Sequence, residues 1–118
     1  MKLAIVGTRI VPNERMACRL IYAAISGFVP QTVISGGAPG IDTFVETVCR
    51  RADVDIDIYR PEFPRWEPDG YKLRNIRIAE DCDVLVCIRS REAKTFGSGW
   101  TANEAERIGK TVYRWEMP

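Results

Sequence analysis

The most informative segment of the chain is Thr32-Val33-Ile34-Ser35-Gly36-Gly37-Ala38-Pro39-Gly40-Ile41-Asp42, and a strongly amphipathic segment follows it. Its first three residues are β-branched, which predicts a short strand running into a glycine-rich turn. After the turn, apolar side chains recur at i, i+3, i+4, i+7, i+8 and i+11, which predicts a helix with one face against a sheet. These apolar positions are Ile41, Phe44, Val45, Val48, Cys49 and Ala52.

Two uninterrupted apolar runs predict the centre of a parallel sheet. Leu3–Val6 and Val84–Ile88 are apolar at every position, as expected for strands covered on both faces. Asp53–Ile58 alternates acidic with aliphatic residues and Val112–Trp115 mixes its faces, so both are predicted as edge strands. The sequence therefore predicts an α/β fold, a Rossmann-like three-layer sandwich around a five-stranded parallel sheet of order 3-2-1-4-5.

Helical segments are expected between the strands. The first is predicted over Pro12–Gly27, with proline opening it and glycine ending it. The third is predicted from Asp69-Gly70 to near Cys82. The last is predicted from about Thr101 to Ile108, after a loop from Arg89 to Gly99.

Composition bounds the class of protein. The 118 residues carry a formal net charge of +1, so the overall field does not by itself favour nucleic acid. We expect one domain over residues 1–118. No histidine is present, which excludes imidazole bases and Ser-His-Asp systems, and no metal site or cofactor is expected. The four cysteines form no C-x-x-C pair and are interpreted as reduced core residues of a cytoplasmic protein.

Three glycine-containing turns are expected at the carboxyl ends of the strands, where open α/β sheets bind ligands. Glycines let backbone amides approach a phosphate, and a helix amino terminus favours an anion. Arg9 adds a guanidinium, while Asp42 has two open roles, capping its helix or hydrogen bonding to a ribose hydroxyl or water. The ligand-binding residues predicted on these turns are Gly7, Thr8, Arg9, Ser35, Gly36, Gly37, Ala38, Gly40, Asp42, Gly97, Ser98, Gly99 and Thr101.

Together with Arg74-Asn75, these motifs resemble the SLOG superfamily. The likeness is greatest to the DprA/Smf core and to small YspA-like stand-alone domains, and it spans nearly the whole chain. The resemblance implies a Rossmann-like fold that binds a nucleotide or nucleotide-derived molecule as a sensor or accessory factor. It also adds Asn75 to the ligand-binding residues and implies a homodimer or higher homo-oligomer. Single-stranded DNA is the alternative partner, and no membrane is expected.

A partial likeness to the Lonely guy phosphoribohydrolases gives a third alternative. Thr101-Ala102-Asn103-Glu104 matches the end of that family's G-x-G-T-x-x-E motif, although Trp100 stands where the family has glycine. Asn75 stands where the family has lysine. If the chain is an enzyme, the resemblance implies that Arg74 holds a nucleoside monophosphate while Glu104 assists cleavage of its N-glycosidic bond.

Overall fold

Five parallel strands and four helices alternate along the chain in the computed structural model, which describes residues 1–91 and 97–118. The elements are β1 (Lys2–Gly7), α1 (Glu14–Phe28), β2 (Thr32–Ser35), α2 (Ile41–Ala52), β3 (Asp55–Ile58), α3 (Tyr71–Asp81), β4 (Val84–Ser90), α4 (Gly97–Arg107) and β5 (Thr111–Met117). The strand order is β3-β2-β1-β4-β5 with every neighbouring pair parallel. The predicted fold class and strand order are confirmed.

The position of each strand follows from its side chains. β1 pairs with β2 on one side and with β4 on the other, and its Leu3, Ala4 and Ile5 are fully buried. β3 keeps Asp55 and Asp57 exposed on an edge of the sheet. Aliphatic strands therefore occupy the centre, where helices cover both faces, while the acidic alternation of β3 is tolerated only at the edge.

Two hydrophobic cores lie on opposite faces of the sheet. One is built from α1 and α2, with Ile21 and Val45 fully buried in it. The other is built from α3 and α4, with Ile78 and Ala102 at its centre. This arrangement is the predicted three-layer sandwich, and it places the carboxyl ends of β1, β2 and β4 along one edge.

Two predicted helix boundaries were wrong. Asn13 caps α1 by accepting a hydrogen bond from the Met16 amide, and Gly27 lies inside the helix rather than ending it. The end is set by Val29, which takes a left-handed conformation with its amide bonded to Ile25. α4 begins at Gly97, four residues before the predicted start. Residues 92–96, which belong to the predicted loop, lie outside the described part of the chain.

All four cysteines are free thiols, which confirms the prediction of reduced residues. Cys49, Cys82 and Cys87 are buried in the two cores, whereas Cys18 is partly exposed. Burial raises the pKa of both Cys49 and Cys82 to about 11. These thiols act as small apolar side chains. Among the helices described, none is long and apolar enough to cross a membrane.

Candidate functional site

A cavity of about 410 Å³ opens where β1 and β2 end and α4 begins, within the range typical of small-molecule sites. Its wall brings together residues from all three predicted turns and from α3. The predicted site residues that line it are Gly7, Arg9, Gly36, Ala38, Asp42, Arg74, Asn75, Gly97, Ser98 and Thr101. The turns are far apart in the sequence, so their meeting at one cavity is a consequence of the strand order.

The remaining predicted residues, Thr8, Ser35, Gly37, Gly40, Gly99 and Glu104, are not among the residues that line the cavity. Thr8 and Ser35 are fully buried and bind neighbouring backbone. The Thr8 hydroxyl donates to the carbonyl of Ile10 at 3.0 Å, and the Ser35 hydroxyl accepts from the amide of Gly37 at 3.3 Å. These side chains shape the turns that carry the cavity wall.

Several amides of the glycine-rich turn bind the chain itself. The amide of Ala38 donates to Asp42 Oδ2 at 3.0 Å, and the amide of Ile41 donates to the carbonyl of Thr8 at 3.0 Å. With the Gly37 amide bonded to Ser35, three donors of this turn are already engaged. This turn therefore offers few unengaged amide donors to the cavity.

Gly40 joins the first two turns by close backbone packing. Its φ is +89° and its ψ is −129°, a conformation that side-chain-bearing residues rarely adopt. A Cβ on Gly40 would lie 2.3 Å from the carbonyl oxygen of Thr8 and 2.4 Å from that of Arg9. The glycine is therefore required for contact between the start of α2 and the turn after β1, which form two walls of the cavity.

Two guanidinium groups contact one aromatic ring at the cavity. The Cζ atoms of Arg9 and Arg74 lie 5.8 Å and 5.7 Å from the ring centroid of Tyr71, within the range of cation–π contact. Arg9 makes no hydrogen bond or ion pair with the described residues. A pair of positive charges on the wall of a largely apolar cavity favours an anionic ligand.

Arg74 also holds the turn after β2. Nε donates to Asn75 Oδ1 at 2.7 Å, and Nη1 donates to the carbonyl of Gly36 and, at 3.4 Å, to that of Tyr59. Nη2 takes part in none of the hydrogen bonds between described residues. Burial lowers the pKa of Arg74, with Asp42 raising it and Arg9 lowering it further, so a bound anion would stabilise the charge.

Asp42 is a buried carboxylate in the first turn of α2. It is 6% exposed, and its Oδ2 accepts the Ala38 amide, as expected for a capping residue. Oδ1 is buried and has no hydrogen-bond partner among the residues described. Burial raises its pKa to about 6, against the opposing effects of the Ala38 amide and the Arg74 charge. Asp42 is therefore mainly ionised at neutral pH and gains a proton on mild acidification.

The first turn of α4 supplies backbone donors. Gly97 and Ser98 line the cavity, and the first amides of a helix have no acceptor within that helix. The Thr101 hydroxyl donates to the carbonyl of Gly97 at 2.8 Å. The Ser98 hydroxyl oxygen is buried without a partner among residues 1–91 and 97–118. This end of the cavity therefore combines the positive end of a helix dipole with the Ser98 hydroxyl, which no described residue pairs.

The structure does not bring Glu104 to the cavity. Its carboxylate pairs with the guanidinium of Arg107 one turn along α4, through two hydrogen bonds. This contact lowers the pKa of Glu104. Arg74 lies on the cavity wall and Glu104 outside it, so the pair expected for N-glycosidic cleavage does not surround one space.

Sequence reasoning missed much of the apolar wall, which includes Val6, Ile10, Tyr71 and Ile78. Trp66 also lines the cavity and meets Trp100 edge to face, with 5.1 Å between ring centroids. A tryptophan after a proline-rich stretch was the only signal available for this wall. The combination of flat aromatic rings, cations and one carboxylate suits a ligand with an aromatic part and an anionic part.

No protein-family model matches the chain, and no curated protein is significantly similar to it. Solved structures share its fold, among them the following two. The crystal structure of TM1055 matches with a TM-score of 0.71 at 20% identity, covering 94% of this chain and 71% of that one. DNA processing protein A (DprA) from Streptococcus pneumoniae matches with a TM-score of 0.73 at 18% identity, covering 96% of this chain.

The chain spans about half of DprA, since the match covers 49% of that protein. At these identities the likeness shows the fold alone. The fold is the Rossmann-like one that the SLOG resemblance implies.

Proposed function

We propose that this chain binds a nucleotide or a nucleotide-derived molecule in the cavity and acts as a ligand sensor or accessory factor. The observation that carries the proposal is the pair of guanidinium groups, Arg9 and Arg74, that both contact the ring of Tyr71 at an otherwise largely apolar cavity. Positive charges held near each other without a carboxylate ion pair favour a multiply charged anion such as phosphate.

The phosphate is proposed to lie between the arginines and the start of α4. Arg9 and Nη2 of Arg74 offer charged donors, and the amides at Gly97 and Ser98 offer neutral donors at the positive end of a helix dipole. Asn75 turns its carbonyl oxygen toward Arg74 Nε, which leaves its amide group as a further donor. An aromatic base would then pack against Trp66 and the neighbouring apolar side chains.

A thermal-shift experiment with a panel of nucleotides tests the proposal. A nucleotide at a hundred times its Kd adds about 2.7 kcal/mol to the free energy of unfolding, which is several degrees in Tm. Arg9→Ala should abolish the shift. Arg19→Ala, which removes the same charge from the exposed face of α1, should retain it. A Tm that stays flat across the panel would refute nucleotide binding.

Single-stranded DNA is a second candidate ligand, and the structural likeness to a DNA processing protein favours it. Binding to the backbone of DNA would depend on several phosphates and would weaken steeply with salt. A labelled oligonucleotide should then bind at low ionic strength and be released as salt is added. Absence of binding at low salt would eliminate this candidate.

We further propose that the chain works as one domain, self-associates as the SLOG resemblance implies, and resides in the cytoplasm. Four free thiols support a reducing compartment. Light scattering coupled to size-exclusion chromatography tests self-association. A mass of one chain, 13.4 kDa, at all concentrations would contradict it.

A further inference from the structure

Two buried oxygen atoms belong to cavity residues and lack a hydrogen-bond partner among the described residues. They are Oδ1 of Asp42 and Oγ of Ser98. Buried polar atoms in folded proteins are nearly always paired, and exceptions cluster where a ligand or an ion supplies the partner. Both residues line the same cavity, Asp42 from the first turn of α2 and Ser98 from the first turn of α4.

The groups around Asp42 leave its carboxylate without an ion pair. Arg74 faces it from α3, but Nη1 of that arginine donates to the carbonyl of Gly36. Glu46 lies one turn along α2 and adds negative charge, and the charge of Asp42 raises the pKa of the Cys87 thiol on β4. The amides of Ala38 and Gly36 stabilise the ionised carboxylate, with Ala38 bonded to Oδ2. Oδ1 has no partner within hydrogen-bond distance among the described residues, so this oxygen can accept a further donor, and its charge repels a phosphate.

We propose that Asp42 recognises the sugar of the ligand by accepting a hydrogen bond from a ribose ring hydroxyl. The inference rests on the proposed function and names its substrate class, ribonucleotides in preference to deoxyribonucleotides. The ionised carboxylate can only accept, so its partner is a donor, and with the phosphate at Arg9 and the start of α4 and the base against Trp66, the sugar hydroxyls are the donors left to meet it. The terminal torsion of an aspartate is soft, and its rotation brings the buried Oδ1 to the cavity that the side chain lines while lengthening the hydrogen bond from the Ala38 amide.

Calorimetric titration of wild-type protein with adenosine, guanosine, cytidine and uridine 5′-monophosphates, each beside its 2′-deoxy and 3′-deoxy counterparts, tests the inference. At about pH 7.5, loss of the recognised hydroxyl should weaken binding about tenfold or more, as for a hydrogen bond to a charged group. Asp42→Asn should reduce this preference to about threefold or less. Its carbonyl still accepts the Ala38 amide, so the fold is retained, which its melting curve checks.

A matched control and a change of pH sharpen the result. Asp55→Asn makes the same chemical change at an exposed position on β3 and should leave the preference intact. Acidification to about pH 5 protonates Asp42 in the free protein, so the wild-type preference should fall there, whereas that of Asp42→Asn should not change. Ionisation of the phosphate affects each ribonucleotide and its deoxy counterpart alike and cancels from their ratio.

The outcomes separate this inference from the proposal on which it rests. Equal affinity for ribonucleotides and both deoxy series would overturn ribose recognition while leaving nucleotide binding in place. A preference that survives unchanged in Asp42→Asn would overturn the role of that carboxylate. No binding of any nucleotide would overturn the proposed function itself, and the inference with it.

Discussion

Replacing Gly40 with alanine should damage both the fold and the cavity, because two separate effects add at this position. The backbone conformation, with φ at +89° and ψ at −129°, costs a side-chain-bearing residue about 1–3 kcal/mol. The new Cβ would also lie 2.3 Å from the carbonyl oxygen of Thr8 and 2.5 Å from the Cα of Arg9. These are backbone atoms, and moving them adds about 1–3 kcal/mol. The expected loss of about 2–6 kcal/mol corresponds to a decrease in Tm of roughly 8–24 °C, at about 4 °C per kcal/mol for a chain of this length.

Differential scanning calorimetry of three glycine variants separates the two effects. Gly109→Ala shares the positive φ, at +87°, but has no described atom within 4 Å of the new Cβ, so it should lose only about 1–2 kcal/mol. Gly27→Ala, inside α1 with no atom within 4 Å, should gain about 0.5–1 kcal/mol. If Gly40→Ala were no more damaging than Gly109→Ala, the close contact between the two cavity walls would be refuted.

Three further predictions concern charged and thiol groups. Because the pKa of Asp42 rises from about 3.8 to about 6 on folding, the free energy of unfolding should fall by up to about 3 kcal/mol as pH rises from 4 to 7. Urea denaturation of wild type and of Asp42→Asn across this pH range measures the fall, which should be absent from the variant. Arg74→Lys should lower Tm by several degrees and weaken nucleotide binding at least about tenfold, because a lysine cannot reproduce the hydrogen bonds of Nε and Nη1 together. Unchanged Tm and affinity would contradict this prediction. A thiol reagent should modify Cys18 quickly and the three buried cysteines only after unfolding, and rapid modification of a second thiol in native protein would contradict the burial described.

The fold was predictable because local patterns of apolar and charged residues indicate where each strand lies in the sheet. Continuous apolar runs at Leu3–Val6 and Val84–Ile88 require cover on both faces, and the acidic alternation at Asp55–Ile58 requires an exposed edge. Helix ends were less predictable. Gly27 predicts the end of a helix, yet α1 continues through it, because a glycine inside a helix is only mildly unfavourable. The helix ends instead at Val29, which takes a left-handed conformation.

The candidate site was predictable in position but not in detail. Strand order alone brings the three turns to one edge, where most of the predicted residues line the cavity. Spacing along the chain carries no information on which acceptor an amide finds, so the internal bonds of Ala38 and Ile41 could not be foreseen. The sequence marks Tyr71 only as the first residue of a helix, and its contact with two guanidinium groups appears once α3 is packed on the sheet.

The most direct test of the central claim, that this cavity holds the phosphate of a nucleotide, is a titration of isotope-labelled protein with adenosine 5′-monophosphate followed by amide NMR. We expect the largest shift changes at four residues that line the cavity, Gly36, Ala38, Ser98 and Thr101. Changes spread over the surface, or concentrated on the distant strand β5, would contradict it.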